Sequence, residues 1–170
     1  AVEPQAKLDD MLVIDGQLWR RAGEPMYVVQ TFGLGNNHGG TGIGKAICLR
    51  LAREGLAIAV GYSRSADGAR ETVATIEQAG GAASLHQVDI TAEEAVIGFF
   101  AAVKARHGRV DAVINNAGIG HMKSFADIPM SHYDYTFNTN ARGTFMMCRE
   151  AARQIEDHGL IAHRRRGKYK

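Results

Sequence analysis

The chain has 170 residues, 45% of them hydrophobic, with 20 glycines and a formal net charge of +2. That length suits one domain with a sizeable core, and the charge is too small to imply a nucleic-acid partner. No apolar stretch approaches the roughly 20 residues of a bilayer span, and the first residues lack the basic start and apolar block of a secretory signal.

Residues 1–25 are mixed and polar around one apolar patch, Met11-Leu-Val-Ile14, and read as an appended, partly disordered segment. From Met26 the pattern alternates strand and helix. Tyr27 to Phe32 is a candidate strand. Ile43 to Glu54 is a helix with Ile43, Ile47 and Leu51 on one face, ended by Gly55. Leu56-Ala-Ile-Ala-Val60 is a continuous apolar run, as in a strand covered on both faces. A second helix spans Ala66 to Ala79, and Ser84 to Val88 is a third strand. Thr91 and Glu94 have the spacing of a capping box. The helix they open carries Val96, Phe99, Phe100 and Val103 and ends near Gly108.

Val110-Asp-Ala-Val-Ile114 is a fourth buried strand. A long helix comes next, from about His132 to Glu156, with Phe137, Ala141, Phe145 and Cys148 on one stripe, read as core or subunit contact. Leu160-Ile-Ala162 is a possible start of a fifth strand, and 163–170 is a basic, solvated tail.

Strands separated by helices of this length mean right-handed βαβ units and a parallel sheet. The expectation is a Rossmann-type, doubly wound α/β domain over residues 26–162, with three layers. Its strand order is about 3-2-1-4, counted from Tyr27. That order leaves the strand before Asn115 at an edge, apolar and unpaired, which predicts self-association.

A glycine-rich stretch, Gly39-Gly40-Thr41-Gly42-Ile43-Gly44, opens the first helix. A pyrophosphate needs backbone N–H groups, room for close approach and the positive end of a helix, and glycines at a strand-to-helix turn supply them. Lys45 adds a positive charge. Gly33 to His38 makes the turn unusually long.

After the second strand the chain reads Gly61-Tyr-Ser63-Arg64-Ser65. An acidic residue there would accept hydrogen bonds from the adenosine ribose and repel a 2′-phosphate. Arg64, flanked by serines, does the opposite and favours NADP(H) over NAD(H).

These residues together resemble the short-chain dehydrogenase/reductase family, of the 3-oxoacyl-carrier-protein reductase type, from about Met26 to Ala162. Gly42-Ile43-Gly44 match the end of the family's Thr-Gly-x-x-x-Gly-Ile-Gly pattern, while Asn37 and His38 stand where its Thr-Gly would fall. Asp89, followed by Ile90, matches the acidic residue that meets the adenine. Asn115-Asn116-Ala117-Gly118 matches the signature that stabilises the sheet and borders the cofactor. Asn140-Ala-Arg-Gly143 matches an Asn-x-x-Gly whose asparagine helps hold a water in the catalytic proton relay.

The resemblance implies reduction of a small-molecule carbonyl to an alcohol, and a homo-oligomer. In the family a serine and a Tyr-x-x-x-Lys pair come after the fifth strand and carry the proton chemistry. Neither is matched here, so the chain alone is expected to be a catalytically incomplete part of such an oxidoreductase. The alternative is a non-catalytic nucleotide-binding or interaction module. Seven histidines are scattered without metal-site spacing, so no metal is expected. Cys48 and Cys148 read as buried free thiols, which suits a cytoplasmic protein.

Overall fold

The computed structural model describes residues 11–14, 17–21, 27–31, 42–120, 124–155 and 160–163. Two short strands come first, β1 (Met11–Ile14) and β2 (Gln17–Arg21), paired antiparallel. Asp15-Gly16 lies between them in sequence, a dipeptide favoured in tight two-residue connections. Then come β3 (Tyr27–Thr31), α1 (Ile43–Arg53), β4 (Ala57–Tyr62), α2 (Ala66–Gln78), β5 (Ala83–Gln87) and α3 (Glu93–His107). The described chain continues with β6 (Ala112–Asn115), α4 (Met130–Phe137), a π-helical turn (Asn138–Gly143), α5 (Thr144–Gln154) and β7 (Leu160–His163).

The main sheet is five-stranded in the order β5-β4-β3-β6-β7, and every pairing in it is parallel. This is the expected 3-2-1-4 order with one more strand beyond the fourth. The expected apolar edge is therefore corrected: β6 pairs with β7 in register from Ala112–Leu160 to Asn115–His163. The chain steps outward from β3 to β5 and then returns to the other side of β3. That reversal opens a crevice at the C-terminal ends of β3 and β6, where a doubly wound sheet holds its ligand.

Alternation along the strands divides the core in two. Ile58, Val60, Ala112 and Ile114 face α1 and α2, where Cys48, Leu51, Ala69 and Ile76 meet them. Ala59 and Val113 face the opposite layer, built from Val96, Phe99, Phe100 and Val103 of α3 and Met146, Met147 and Ala151 of α5. Both faces of β4 and β6 are thus covered, as suits strands that are apolar apart from Asn115 at the end of β6. Both cysteines are free, and burial pushes the Cys48 thiol up to about 12, leaving it an inert core residue.

Three local expectations need correction. Ile43, expected on the core face of α1, is 48% exposed, because it stands on the first turn, at the lip of the crevice. The Thr91–Glu94 capping box does not form. Asp89 Oδ1 accepts hydrogen bonds from both the Thr91 N–H and the Thr91 hydroxyl, at 2.9 and 2.7 Å, and α3 starts after Ala92 without a side-chain cap. A nearby carboxylate is the stronger acceptor for the hydroxyl.

The long helix, third, is interrupted by the π turn, which rotates α5 relative to α4 about the helix axis. Phe137 and Phe145 end up 53% and 62% exposed, while Thr139, Gly143, Met146, Met147 and Ala151 take the buried face.

Packing of α3 on β5 also sets a pH dependence. The Ser84 hydroxyl bridges the Nε2 atoms of His86 and His107. Both imidazoles are held below the ordinary histidine pKa, His86 by burial and then His107, and His107 by burial and then Arg106. The folded chain therefore releases these protons at lower pH than the unfolded chain. The stability carried by the neutral pair is complete above the unfolded value of about 6.5 and is lost as pH falls through the lowered folded values. Urea melts across that range should show the midpoint dropping on the acid side, and His86→Gln should flatten part of the drop. An identical profile in the variant would exclude the pair as its source.

Candidate functional site

The head of α1, the loops that leave β4, β5 and β6, and one helical turn stand at the C-terminal ends of the strands. The first loop enters α1. Gly42 accepts the first helical bond, from Ala46 N–H at 3.1 Å, and a Cβ added at Gly42 would meet nothing within 4 Å. The first turn of α1 contains no acidic residue, so its positive end faces the crevice uncompensated. Gly44 is buried in the helix. Gly39, Gly40, Thr41 and the Gly33–His38 stretch lie outside the described residues. Lys45 is directed elsewhere: its Nζ pairs with Glu71 Oε1 at 2.7 Å, tying α1 to α2.

The second loop leaves β4. Ser63 is half-buried, and its carbonyl accepts a hydrogen bond from Gln87 Nε2 at 3.2 Å. Arg64 is exposed, and its guanidinium has no partner among the described residues.

The loops after β5 and β6 are clasped by the π turn. Asp89 is exposed and organises its own loop through Thr91, while Ile90 is buried. Gly143 lies directly on Ile90: a Cβ added there would sit 3.0 Å from the Ile90 main-chain oxygen. Arg142 Nη1 donates to the Thr91 carbonyl at 2.7 Å. On the other side, Asn140 Oδ1 accepts from the Ile119 N–H and Asn140 Nδ2 donates to the Ile119 carbonyl, both at 2.8 Å. A single helical turn thus fixes both loops that border the crevice, and π turns recur at functional sites.

Asn115 is buried at the end of β6. Its Nδ2 donates to Cys148 Sγ at 3.3 Å, and its Oδ1 finds no hydrogen-bond partner among the described residues. Asn116 and Gly118 are half-buried and Ala117 is buried, with Gly118 set against Asn140 Oδ1. Asn116 N–H turns back to the Ile114 carbonyl at 3.1 Å.

Of the residues singled out in the sequence, the structure joins Asp89 and Ile90 to the Asn140–Gly143 turn and Gly118 to Asn140. Arg142 and Gly143 were missed as site-building residues. Their signal was only the Asn-x-x-Gly spacing, and their partners lie 51 and 53 positions upstream in sequence, at Thr91 and Ile90. Among the described residues no group of three or more His, Cys, Asp or Glu is placed to hold a metal, and no helix is long and apolar enough to cross a membrane.

A parallel sheet that reverses at β3, with helices on both of its faces, defines a Rossmann-type, doubly wound α/β domain. The particular family is given by a match of residues 38–163 to the short chain dehydrogenase family model, and the chain belongs to that family. It is 34% identical over 120 residues to the 1-cyclohexenylcarbonyl-CoA reductase of Streptomyces collinus, covering 71% of this chain and 43% of that protein. It is 36% identical over 118 residues to an uncharacterized oxidoreductase of Escherichia coli, covering 69% and 48%.

A short-chain dehydrogenase of Burkholderia cenocepacia, solved in complex with NADP, has the same fold. It superposes with a TM-score of 0.73 at 34% identity, covering 81% of this chain and 54% of that one. A short-chain dehydrogenase/reductase of Serratia marcescens gives a TM-score of 0.74 at 30% identity, covering 81% and 54%. The chain spans about half the length of these relatives.

Proposed function

We propose that this chain is the cofactor-holding half of an NADP(H)-dependent carbonyl reductase of the short-chain dehydrogenase family. The observation that carries the cofactor choice is Arg64, exposed and unpartnered among the described residues at the end of β4, where a ribose-binding carboxylate would otherwise stand. Gly42, Ile43 and Gly44 at the head of α1, with Gly39, Gly40 and Thr41 before them, would hold the pyrophosphate. Ser63 and Arg64 would take the 2′-phosphate. Asp89 and Ile90 would meet the adenine, and Asn116, Ala117 and Gly118 would border the cofactor further along. When bound, the cofactor supplies the hydride for a ketone of the 3-oxoacyl kind.

Asn140 serves this reading as a positioning residue. Its side-chain amide is engaged at both ends by Ile119, so a water of the proton relay would have to be held by main chain in the π turn. Phe125, Met130, Tyr133, Phe137 and Phe145 form an exposed apolar set suited to a second copy of the chain in a cytoplasmic homo-oligomer.

The second reading is a nucleotide-binding module without turnover. What favours it is that both ends of the Asn140 amide, the matched proton-relay residue, are engaged by Ile119.

Calorimetric titration with NADPH and NADH tests the cofactor assignment. NADPH should bind more tightly, and Arg64→Glu should weaken it about 10- to 100-fold while changing NADH little, as expected for loss of a hydrogen bond to a charged group. Absence of NADPH binding would sink the first reading. Binding without ketone reduction by these 170 residues fits both readings.

A further inference from the structure

A second group of side chains converges where α3 packs on β5, at the end of α3 away from the crevice. Ser84 Oγ lies 2.8 Å from His86 Nε2 and 2.7 Å from His107 Nε2. The two histidines are 21 positions apart in sequence, so no ligand spacing reveals them. His86 meets Phe99 edge to face, with ring centroids 5.5 Å apart and planes at 68°. His107 is the last residue of α3, with Gly108 at φ +83° closing the helix behind it.

We propose that His86, His107 and Ser84 form a binding site for a divalent transition-metal ion of the zinc, copper or nickel class. Imidazole nitrogen is the commonest protein ligand for these ions, and here two Nε2 atoms already point at one oxygen. An ion at about 2.0–2.1 Å from each nitrogen would displace the hydrogens now shared with the hydroxyl, with the Ser84 side chain drawing back from its present 2.7 and 2.8 Å to make room. Ser84 Oγ is the third donor, and the half-exposed position leaves the fourth to water.

Three further features bear on affinity. Both rings are half-buried, which limits the access of bulk water to the nitrogens. The carbonyl end of α3 presents partial negative charge to a cation. Arg106 opposes it and weakens the binding. Magnesium and calcium, which require oxygen donors, are excluded. The bound ion would cross-link edge strand β5 to α3 and raise thermal stability in proportion to its occupancy.

Calorimetry of the chain with ZnCl2 and with CuCl2 at about pH 7.5, where histidine is neutral, should give one saturable site and a matching rise in Tm. MgCl2 should do neither. His86→Gln and His107→Gln should each weaken binding at least about tenfold, and His132→Gln should leave it unchanged. If either variant fails to fold by circular dichroism, the unaltered chain decides. Substoichiometric Cu²⁺ should then broaden the amide NMR signals of residues 84–86 and 104–108 before any others. Binding that persists in both variants, no binding below about 1 mM, or broadening centred on other histidines would each overturn the assignment.

Discussion

Asn140→Ala should destabilise the chain by about 2–4 kcal/mol, since a buried backbone group left unpaired costs about 1–3 kcal/mol and this substitution strands two. The two are the N–H and carbonyl of Ile119, which is 9% exposed. The figure stays below the full sum because Asn140 is half-buried and water can reach part of the gap. Asn140→Asp separates the two bonds. Its carboxylate still accepts from the Ile119 N–H but turns a second oxygen toward the Ile119 carbonyl. Protonation restores the missing donor, so this variant should recover stability as the carboxyl titrates on the acid side. Urea midpoints at neutral and mildly acidic pH measure both effects. NADPH affinity should fall as well, because the loop carrying Asn116 to Gly118 loses its clasp. If Asn140→Ala left the midpoint within about 0.5 kcal/mol of the parent, the size of an ordinary surface change, the paired bonds would contribute nothing.

The sequence announced its strands more clearly than its helix ends. Leu56 to Val60 and Val110 to Ile114 are apolar without a break, and the structure covers both of their faces with helices. The crossovers and the order of the inner strands are dictated by chain geometry. What stayed hidden depended on partners distant in sequence. Asn140 reaches Ile119, and Arg142 reaches Thr91.

A helical period drawn through Phe137, Ala141, Phe145 and Cys148 gives an apparent core stripe. The π turn, which no local pattern marks, turns Phe137 and Phe145 outward. Thr91 and Glu94 satisfy a capping pattern, yet Asp89 competes for the same hydroxyl. Glu93, beside Glu94, pairs instead with Arg149 on α5. The glycines of the crevice were legible as a set, but their separate duties were not.

Gly143 shows the difference, and substitutions at two glycines should move in opposite directions. In an ordinary helix, Gly→Ala gains about 0.5–1 kcal/mol. Gly98, on α3, is such a position: a Cβ there would meet nothing within 4 Å, so Gly98→Ala should stabilise by that amount. At Gly143 a Cβ would lie 3.0 Å from Ile90 Cδ1, Cγ1 and the main-chain oxygen.

The side-chain carbons can rotate away. The oxygen has less freedom, because the next residue, Thr91, is held through its carbonyl by Arg142 and through its N–H and hydroxyl by Asp89. The helical gain is therefore outweighed, and Gly143→Ala should destabilise by about 1–3 kcal/mol, the usual range for overpacking. At this chain length each kcal/mol corresponds to roughly 2–4 °C in Tm.

Ile90→Val removes one of the three contacts and should restore part of the loss in the double variant, leaving the share due to Cγ1 and the oxygen. Because the displaced loop carries Asp89, NADPH should also bind less tightly to Gly143→Ala than to Gly98→Ala. Equal stabilisation by the two alanines would show that the contact between the π turn and Ile90 is loose, and the π turn would then have no part in fixing the Asp89 side of the crevice.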